Sequence, residues 1–236
     1  MKKDEAFDET YYREWLCDRY VFNEERKAIV RFYLKMVLSR KRHVQRILDI
    51  GCAYGYFLNA CLEAGIPEVY GVDVSTAAIE KLKGLEKARV TRHDFSKEKS
   101  AFPSDFFDAV TAFDVIEHVE EEHFFAEEAY RVLKKGGLLF LITPNGDSWP
   151  RDIYMKLIYG RDDPTHVNVQ GWRHWEDLLR NAGFNGVETK GSLLHGFPPT
   201  TTLRGKLKWM SKVKPIVLPI RFGSKLLDRL FIFAIK

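Results

Sequence analysis

From residue 47 onward, short apolar runs alternate with longer amphipathic segments. The apolar runs are typical of buried strands, and the segments between them repeat apolar side chains every three or four residues, as helices do. The predicted strands are residues 47–50, 68–74, 88–92, 107–113, 138–143, 184–190 and 230–235. The predicted helices are residues 55–64, 75–82, 120–133 and 173–182. This alternation favours an α/β fold with a mostly parallel sheet and helices on both of its faces.

The chain before and after this alternating region has a different pattern. The N-terminal residues place apolar side chains at helical spacing and predict a helical cover, which we delimit as residues 1–45. The main domain is predicted to comprise residues 46–196 together with the final strand, 230–236. Residues 197–229 would then be an insertion ahead of that strand. Its apolar positions at helical spacing are Leu203, Leu207, Met210 and Val213.

Charge is unevenly distributed along the chain. The net charge is +4, but residues 201–236 hold nine basic side chains and one acidic one, so the other 200 residues carry a net charge of −4. A basic amphipathic helix is typical of a segment that lies on an anionic membrane surface. The same pattern also fits a lid, a site that recruits an anionic substrate, or a solvated helix face. A nucleic-acid partner is disfavoured because the body is acidic and contains no recognised nucleic-acid-binding module.

Composition narrows the class of protein further. The chain has 236 residues, of which 45% are hydrophobic, so it can bury a sizeable core. It contains no run of about 18 apolar residues, and its N-terminus soon turns acidic, so we expect neither a spanning helix nor a secretory signal. The three cysteines form no CxxC pair, which is typical of a reducing compartment. We therefore expect a cytoplasmic protein, or one that also binds peripherally to a membrane.

The strongest local signal is the sequence ILDIGCAYGYFL at residues 47–58. An apolar strand runs into a glycine-containing turn and then directly into a helix. Backbone N–H groups therefore gather at the carboxyl end of the strand, where open α/β sheets bind ligands. A dinucleotide-binding turn would have glycine at the positions of Ala53 and Tyr56, and a phosphate-binding loop would continue with Gly-Lys-Ser/Thr. The turn thus favours a small organic ligand over a pyrophosphate.

Five segments in sequence order resemble the motifs of class I S-adenosylmethionine-dependent methyltransferases. They are ILDIGCAYGYFL, VYGVDVS at 69–75, HDF at 93–95, FDAVTAFDVIEH at 107–118 and LKKGGLLFLITPN at 133–145. One such segment is a weak indication, whereas five in order are specific. The segments at 162–168 and 181–184 are similar to the small-molecule group known as type 11 or type 23, which is similar to the ubiquinone-pathway O-methyltransferases. The resemblance implies a Rossmann-like fold with a seven-stranded, mostly parallel sheet and an antiparallel last strand.

The resemblance also implies which residues bind S-adenosylmethionine. Asp73 would accept hydrogen bonds from the ribose hydroxyls, and Asp94 would accept one from the exocyclic amine of adenine. Phe95 or Phe113 would cover the adenine ring, and Asp49 would face the ammonium group. The other cofactor-binding positions are Gly51, Cys52, Ala53, Gly55 and Val74. Position 53 departs from the family pattern, in which many members have glycine, but alanine is the smallest replacement.

Candidate catalytic residues follow the fourth and fifth strands. Methyl transfer from a sulfonium is an in-line displacement, so the protein must align the acceptor and, for a hydroxyl acceptor, remove its proton. The predicted catalytic residues are Glu117, His118 and His166. Together with Asp114 they also resemble the metal site of small-RNA 2′-O-methyltransferases, so a divalent metal bound by these four residues is an alternative. In a third interpretation, Glu117 and His118 only anchor the following loop.

The predicted function is S-adenosylmethionine-dependent O-methylation of a small-molecule or lipid-like acceptor, with S-adenosylhomocysteine as the product. Two alternatives remain open. A metal-assisted RNA 2′-O-methyltransferase would depend on Mg²⁺ or Mn²⁺, whereas a non-catalytic member would use the fold only to bind a partner. The other histidines in this region, His93, His123 and His174, are expected to cap backbone groups or face solvent.

Overall fold

The computed structural model describes residues 7–8, 10–11, 24–148, 163–193, 216–220 and 224–236. Within these ranges the helices are α1 (Glu24–Arg40), α2 (Tyr56–Glu63), α3 (Thr76–Lys81), α4 (Glu122–Val132) and α5 (Trp172–Asn181). The strands are β1 (Arg46–Ile50), β2 (Glu68–Asp73), β3 (Ala88–Arg92), β4 (Phe107–Phe113), β5 (Leu133–Pro144), β6 (Asn185–Leu193), β7 (Ile216–Pro219) and β8 (Arg229–Ile235). Short 3₁₀ turns lie at Ile116–His118 and Ser224–Leu226.

These eight strands form one sheet in the order β3-β2-β1-β4-β5-β8-β6-β7. Strands β1 to β5 are parallel to one another. The C-terminal strand β8 inserts antiparallel between β5 and β6, with Phe233 opposite Phe140. A mostly parallel sheet with an antiparallel last strand confirms the predicted Rossmann-like α/β fold.

The sheet contains one strand that the sequence does not predict. Strand β7 pairs antiparallel with β6 at the sheet edge, where Leu218 lies opposite Gly191. Its apolar residues belong to the segment 197–229, where the upstream spacing predicts an amphipathic helix. An edge strand tolerates Pro219 because it pairs along one side only. Residues 197–215, which include the predicted basic helix, lie outside the described residues, as does most of the N-terminal cover before Glu24. The membrane contact predicted for residues 201–236 stays a prediction.

The junction between α4 and β5 also differs from the sequence prediction. The sequence predicts a helix over residues 120–133 and a strand only from residue 138, whereas in the structure α4 ends at Val132 and β5 begins directly at Leu133. Pairing with the C-terminus explains the difference: Gly136 N–H donates to the carbonyl of Lys236 at 2.8 Å, and Lys236 N–H donates to that of Gly137 at 3.1 Å. Gly136 has a φ of 69°, which glycine adopts readily, so this glycine allows the backbone conformation of β5 and does not end the helix.

The central strands bury their side chains in two apolar layers, one on each face of the sheet. Leu48 of β1 lies in the layer that contains Trp175 of α5, whereas Ile47 lies in the layer that contains Val37 of α1. Successive side chains of a strand point to opposite faces, so each central strand contributes to both layers. The nearly continuous apolar runs of the sequence follow from this double burial.

The carboxyl ends of parallel strands meet at one edge of a sheet, which is where open α/β folds bind ligands. The exits of β1, β2, β4 and β5 therefore lie together, and they carry most of the predicted site residues. Among the residues that the structure describes, no helix is both long enough and apolar enough to cross a lipid bilayer.

Replacing Phe140 with alanine should lower the free energy of unfolding by about 3–5 kcal/mol, because truncation of a buried ring leaves a cavity. Phe140 is fully buried and stacks on Phe233 with 4.4 Å between ring centroids. Chemical denaturation of both proteins measures the loss. Leu226 is 50% exposed, so Leu226→Ala is the matched control and should change stability by no more than about 0.5 kcal/mol. Equal losses in the two variants would contradict this description of the core.

Candidate functional site

The turn between β1 and α2, residues 51–55, follows a backbone path that few residues tolerate. Gly51, Ala53 and Gly55 have φ angles of 70°, 46° and 73°, which lie in the left-handed region. A Cβ atom on Gly51 would collide with Cγ2 of Val115, the second residue after β4. The N–H group of Gly51 donates to the carbonyl of Val72 at 2.8 Å. The turn is therefore fastened to β2 and packed against the exit of β4.

Asp73, the last residue of β2, links this turn to the next strand exit. Its buried carboxylate accepts a hydrogen bond of 2.8 Å from Ala53 N–H at Oδ2 and one of 2.9 Å from Ser75 N–H at Oδ1. Burial raises the pKa of Asp73, and the backbone hydrogen bonds from Ser75, Ala53 and Val74 oppose that rise. The carboxylate thus holds the left-handed residue 53 in place, a structural role that the sequence motif does not reveal.

Asp49 is a second buried carboxyl group at the same edge of the sheet. It is 4% exposed and accepts a hydrogen bond of 2.7 Å from the hydroxyl of Thr111, its partner on β4. Burial raises the pKa of Asp49 to about 7; the Thr111 hydrogen bond lowers it, and the charge of Asp73 raises it further. Burial and the two carboxylates also raise the pKa of Cys52 well above its usual value, so the thiol stays neutral. The structure therefore brings the turn, Asp49 and Asp73 together.

The predicted cofactor residues next to β3 make local contacts. Asp94 Oδ1 accepts hydrogen bonds from the backbone N–H and the hydroxyl of Ser96, at 3.0 and 2.6 Å. This geometry is a side-chain turn that fixes the β3 exit. The carbonyl of Val74 accepts a hydrogen bond of 3.0 Å from Nε of Arg92, which holds the β2 exit beside that of β3. The adenine-binding role of Asp94 stays a prediction.

The two aromatic candidates for covering the adenine lie in different layers. Phe95 is 2% exposed and packs edge-on against Phe125 of α4, with 5.9 Å between ring centroids. Phe113 packs against Phe57 of α2 at 4.9 Å, in the opposite layer. Because side chains alternate along a strand, Phe113 shares the sheet face of Thr111 and hence of its hydrogen-bond partner Asp49.

The exit of β4 carries two of the predicted catalytic residues. Glu117 is 1% exposed, and its Oε2 accepts a hydrogen bond of 3.0 Å from the hydroxyl of Thr143 on β5. Nδ1 of His118 lies 3.0 Å from both the carbonyl and the hydroxyl oxygen of Thr165. The backbone N–H of Asn168 donates to the carbonyl of Glu117 at 2.9 Å. Residues 163–168 are therefore docked on the exit of β4.

This docking brings His166 to the other two predicted catalytic residues. The ring centroids of His118 and His166 are 4.8 Å apart, and one ligand atom from each of Glu117, His118 and His166 lies within 4.8 Å of the others. Two imidazoles and a carboxylate form a donor set that suits Zn²⁺ and other first-row divalent ions. Asp114 is not part of this group: it has a φ of 57°, and its carboxylate forms an ion pair with Arg229 of β8. The structure thus gathers three of the four candidate metal ligands.

Three residues of this site are missed by the sequence analysis. Oδ1 of Asp163 accepts hydrogen bonds from the N–H and the hydroxyl of Thr165, at 2.9 and 2.6 Å. Oδ2 of Asp163 accepts a hydrogen bond of 3.1 Å from the Tyr11 hydroxyl and lies 3.8 Å from Nε2 of His166. The Phe7 ring meets the His118 ring edge-on, with 5.2 Å between centroids. The sequence Asp-Pro-Thr signals the Asp163 turn, but no local pattern indicates Tyr11 or Phe7.

The remaining histidines behave as expected. Nε2 of His93 lies 3.0 Å from the carbonyl oxygen of Glu98, and Nε2 of His174 lies 2.8 Å from Oε1 of Glu122. His123 is exposed on α4. These contacts leave the three histidines outside the cluster at the exit of β4.

Residues 18–189 match the family model described as a methyltransferase domain. The chain is 26% identical over 182 residues to the ubiquinone biosynthesis O-methyltransferase of Glaesserella parasuis serovar 5, which covers 71% of this chain and 74% of that protein. It is 31% identical over 150 residues to the protein of the same name from Pelagibacter ubique, which covers 63% of this chain and 61% of that protein. Other curated relatives are matched over only 50–61% of their own length.

A solved structure shows the same fold. The crystal structure of an S-adenosylmethionine-dependent methyltransferase from Archaeoglobus fulgidus aligns with a TM-score of 0.68 at 22% identity, over 95% of this chain and 100% of that chain. The family model spans most of the chain, and the strand exits that it covers carry the turn and the two buried carboxyl groups described above. The chain therefore belongs to the methyltransferase-domain family and is a class I S-adenosylmethionine-dependent methyltransferase.

Proposed function

We propose that this methyltransferase transfers the methyl group of S-adenosylmethionine to a hydroxyl group of a small-molecule or lipid-like acceptor. The observation that carries the proposal is the cluster of Glu117, His118 and His166. Val115, two residues before Glu117, packs against Gly51 of the cofactor turn, so a proton acceptor stands beside the predicted donor site. The relatives named ubiquinone biosynthesis O-methyltransferase support an oxygen acceptor.

On the cofactor side, the proposal assigns each buried carboxyl group a part of the ligand. Asp49 would accept a hydrogen bond from the ammonium group. Asp73 would accept bonds from the ribose hydroxyls beside its two backbone partners, because each carboxylate oxygen has two lone pairs. Asp94 would serve the adenine amine, and Phe113 would be the aromatic cover because it is less deeply buried than Phe95.

On the acceptor side, His166 would act as the general base. The acceptor oxygen attacks the methyl carbon, the carbon–sulfur bond breaks, and its electron pair returns to sulfur to give S-adenosylhomocysteine. The hydroxyl proton passes to the imidazole of His166. Asp163, whose Oδ2 lies 3.8 Å from Nε2 of His166, would stabilise the imidazolium that forms. His118 is held through Nδ1 by Thr165, so its ring would form a wall of the acceptor site.

A metal-assisted form of the same reaction is the second candidate. The converging atoms of Glu117, His118 and His166 are the observation that favours it. These three residues would hold a divalent ion, and a bound ion would supply Lewis acidity that lowers the pKa of a coordinated hydroxyl. Asp114 has no part in this candidate because it pairs with Arg229. The two candidates differ in their response to chelation.

The test is methyl transfer from methyl-labelled S-adenosylmethionine to a panel of catechols, phenols, aliphatic alcohols, amines and thiols. We expect label in hydroxyl acceptors, and we expect His166→Asn to lower kcat by about 100-fold, in the range for a general base. Calorimetric titration with S-adenosylhomocysteine should show the same affinity in the variant and wild type. His174→Asn is the matched control, since His174 lies on the exposed face of α5 beside Glu122.

Label that enters only amines or thiols would contradict the proposal, as would a His166→Asn enzyme with the kcat of wild type. Loss of transfer after treatment with a chelator, with recovery on adding Mg²⁺, Mn²⁺ or Zn²⁺, would favour the metal-assisted candidate. Transfer that is insensitive to the chelator would favour His166 as the base.

Replacing Asp73 with asparagine should weaken S-adenosylhomocysteine binding by about 1.5–3 kcal/mol, the range for hydrogen bonds to a charged group. Both oxygens of Asp73 accept hydrogen bonds from backbone N–H groups. In either orientation, the asparagine side chain would therefore place its NH₂ group, a donor, against the donor N–H of Ala53 or of Ser75. Calorimetry measures the loss. Asp105→Asn is the control because Asp105 is an exposed partner of Lys236 at the other end of the sheet. Wild-type affinity in Asp73→Asn would remove Asp73 from the cofactor site.

Replacing Asp49 with asparagine should stabilise the apoprotein more at about pH 8 than at about pH 5. The pKa of Asp49 is raised from 3.8 to about 7, so between these values the folded protein holds a proton that the unfolded chain has released. The contribution of this proton to stability is complete below the lower pKa and is lost as the pH rises through the upper one. Urea unfolding at both pH values measures the difference between variant and wild type.

The control for this prediction is a buried carboxyl group with the opposite shift. Burial alone would raise the pKa of Asp108, but hydrogen bonds from Lys134 and from the backbone of Arg46 and Gln45 lower it below the usual value. Asp108→Asn should therefore cost the same stability at about pH 8 as at about pH 5, since the contribution of a lowered pKa is complete above the unfolded value and is lost only as the pH falls below it. A stability difference for Asp49→Asn that does not change with pH would contradict the charge assignment.

A further inference from the structure

One hydrogen bond joins the N-terminal segment to the acceptor side of the site. The Tyr11 hydroxyl donates to Oδ2 of Asp163 at 3.1 Å, a contact between residues 152 positions apart in the chain. Asp163 is 7% exposed, and its other carboxylate oxygen is used by the N–H and hydroxyl groups of Thr165. Both oxygens of Asp163 are therefore engaged, one by its own loop and one by the N-terminal segment.

The same loop holds the two histidines of the cluster. Thr165 contacts Nδ1 of His118 through its carbonyl and hydroxyl oxygens, each at 3.0 Å, and His166 is the next residue. Tyr11, Asp163, Thr165 and His118 thus form a continuous chain of hydrogen bonds from the N-terminal segment to the exit of β4. A displacement of Asp163 would be transmitted to both imidazole rings.

The ring of Tyr11 strengthens this connection by packing. Its centroid lies 6.4 Å from that of His118, in an edge-to-face arrangement, and 4.9 Å from that of Phe7. Burial and the charge of Asp163 raise the pKa of Tyr11 above its usual value, so the phenol keeps its proton and remains a hydrogen-bond donor. A polar group buried next to a carboxylate is costly to leave without its partner, so the contact specifies one position for the segment.

We propose that Tyr11 is a positioning residue of the acceptor site, which acts through Asp163 to set the separation of His118 and His166. This inference rests on the proposed function, because it matters for turnover only if these histidines serve the acceptor. Tyr11 touches no reacting group itself. Its hydroxyl holds the carboxylate of Asp163, and its ring, together with that of Phe7, packs edge-on against the ring of His118.

The test compares Tyr11→Phe with Tyr70→Phe in the full-length protein. Tyr11→Phe keeps the ring and removes only the donor. Tyr70 is the matched control because its hydroxyl also donates to a carboxylate, Oε2 of Glu68, at 2.8 Å, but at the opposite edge of the sheet. The first readout needs no acceptor: side-chain NMR of ¹⁵N-histidine protein, with the signals of His118 and His166 assigned from single His→Gln variants.

We expect the signals of both histidines to shift in Tyr11→Phe and to stay in place in Tyr70→Phe, with the S-adenosylhomocysteine affinity of both variants within about twofold of wild type. With the best acceptor from the panel above, kcat of Tyr11→Phe should fall by about tenfold, as small misplacements of catalytic groups do, while KM for S-adenosylmethionine is unchanged. Wild-type histidine signals in Tyr11→Phe would overturn the inference, as would equal effects of the two variants. If no acceptor in the panel is methylated, the proposed function fails, whereas the histidine signals still decide whether Tyr11 positions the cluster.

Discussion

The two backbone hydrogen bonds accepted by Asp73 are the contact on which the rest of the site depends. The one from Ala53 N–H ties the turn after β1 to the exit of β2 and holds Ala53 in a conformation that alanine rarely adopts, and the one from Ser75 N–H fixes the β2 exit itself. The turn in turn packs against Val115, so its position fixes where the chain can leave β4. Asp73, the predicted ligand of the ribose hydroxyls, therefore also links the exits of β1, β2 and β4.

The acceptor side is built by a second set of contacts that starts where the first one ends. Beyond Val115, the carbonyl of Glu117 accepts a hydrogen bond from the N–H of Asn168, and Nδ1 of His118 contacts the carbonyl oxygen of Thr165. Residues 163–168 thus use the β4 exit as their platform. Because the platform depends on the turn after β1, the proposed donor and acceptor sides share one edge of the sheet, as an in-line transfer between two bound molecules would require.

The sequence predicts the parts of this arrangement that follow from local patterns. Strand exits carry Asp49, Asp73 and Glu117 because apolar runs end there, and parallel strands end at one edge. The parts it misses depend on partners that are distant in the sequence. Asp114 pairs with Arg229, 115 residues away, and so does not join the other candidate metal ligands. Tyr11 donates a hydrogen bond to Asp163, 152 residues away. Strand β7 is missed because a four-residue apolar run gains its pairing only from β6.

Two buried carboxyl groups at one edge, Asp49 and Asp73, are costly for a protein without its ligand, and their chemistry indicates what could offset that cost. Asp49 is satisfied by a hydroxyl and Asp73 by backbone N–H groups, both neutral donors, so burial prevails and the pKa of each carboxyl group is raised. In the proposed site, Asp49 would face the ammonium group of S-adenosylmethionine, whereas Asp73 would face the uncharged ribose hydroxyls. A bound ammonium group would favour the charged form of Asp49 and lower its pKa from about 7. Binding would therefore release a proton from Asp49 at a pH below about 7. S-Adenosylhomocysteine keeps both the ammonium group and the ribose, so these proposed contacts would hold the donor and the product alike, and the loss of charge at sulfur would have to be read by other groups of the site.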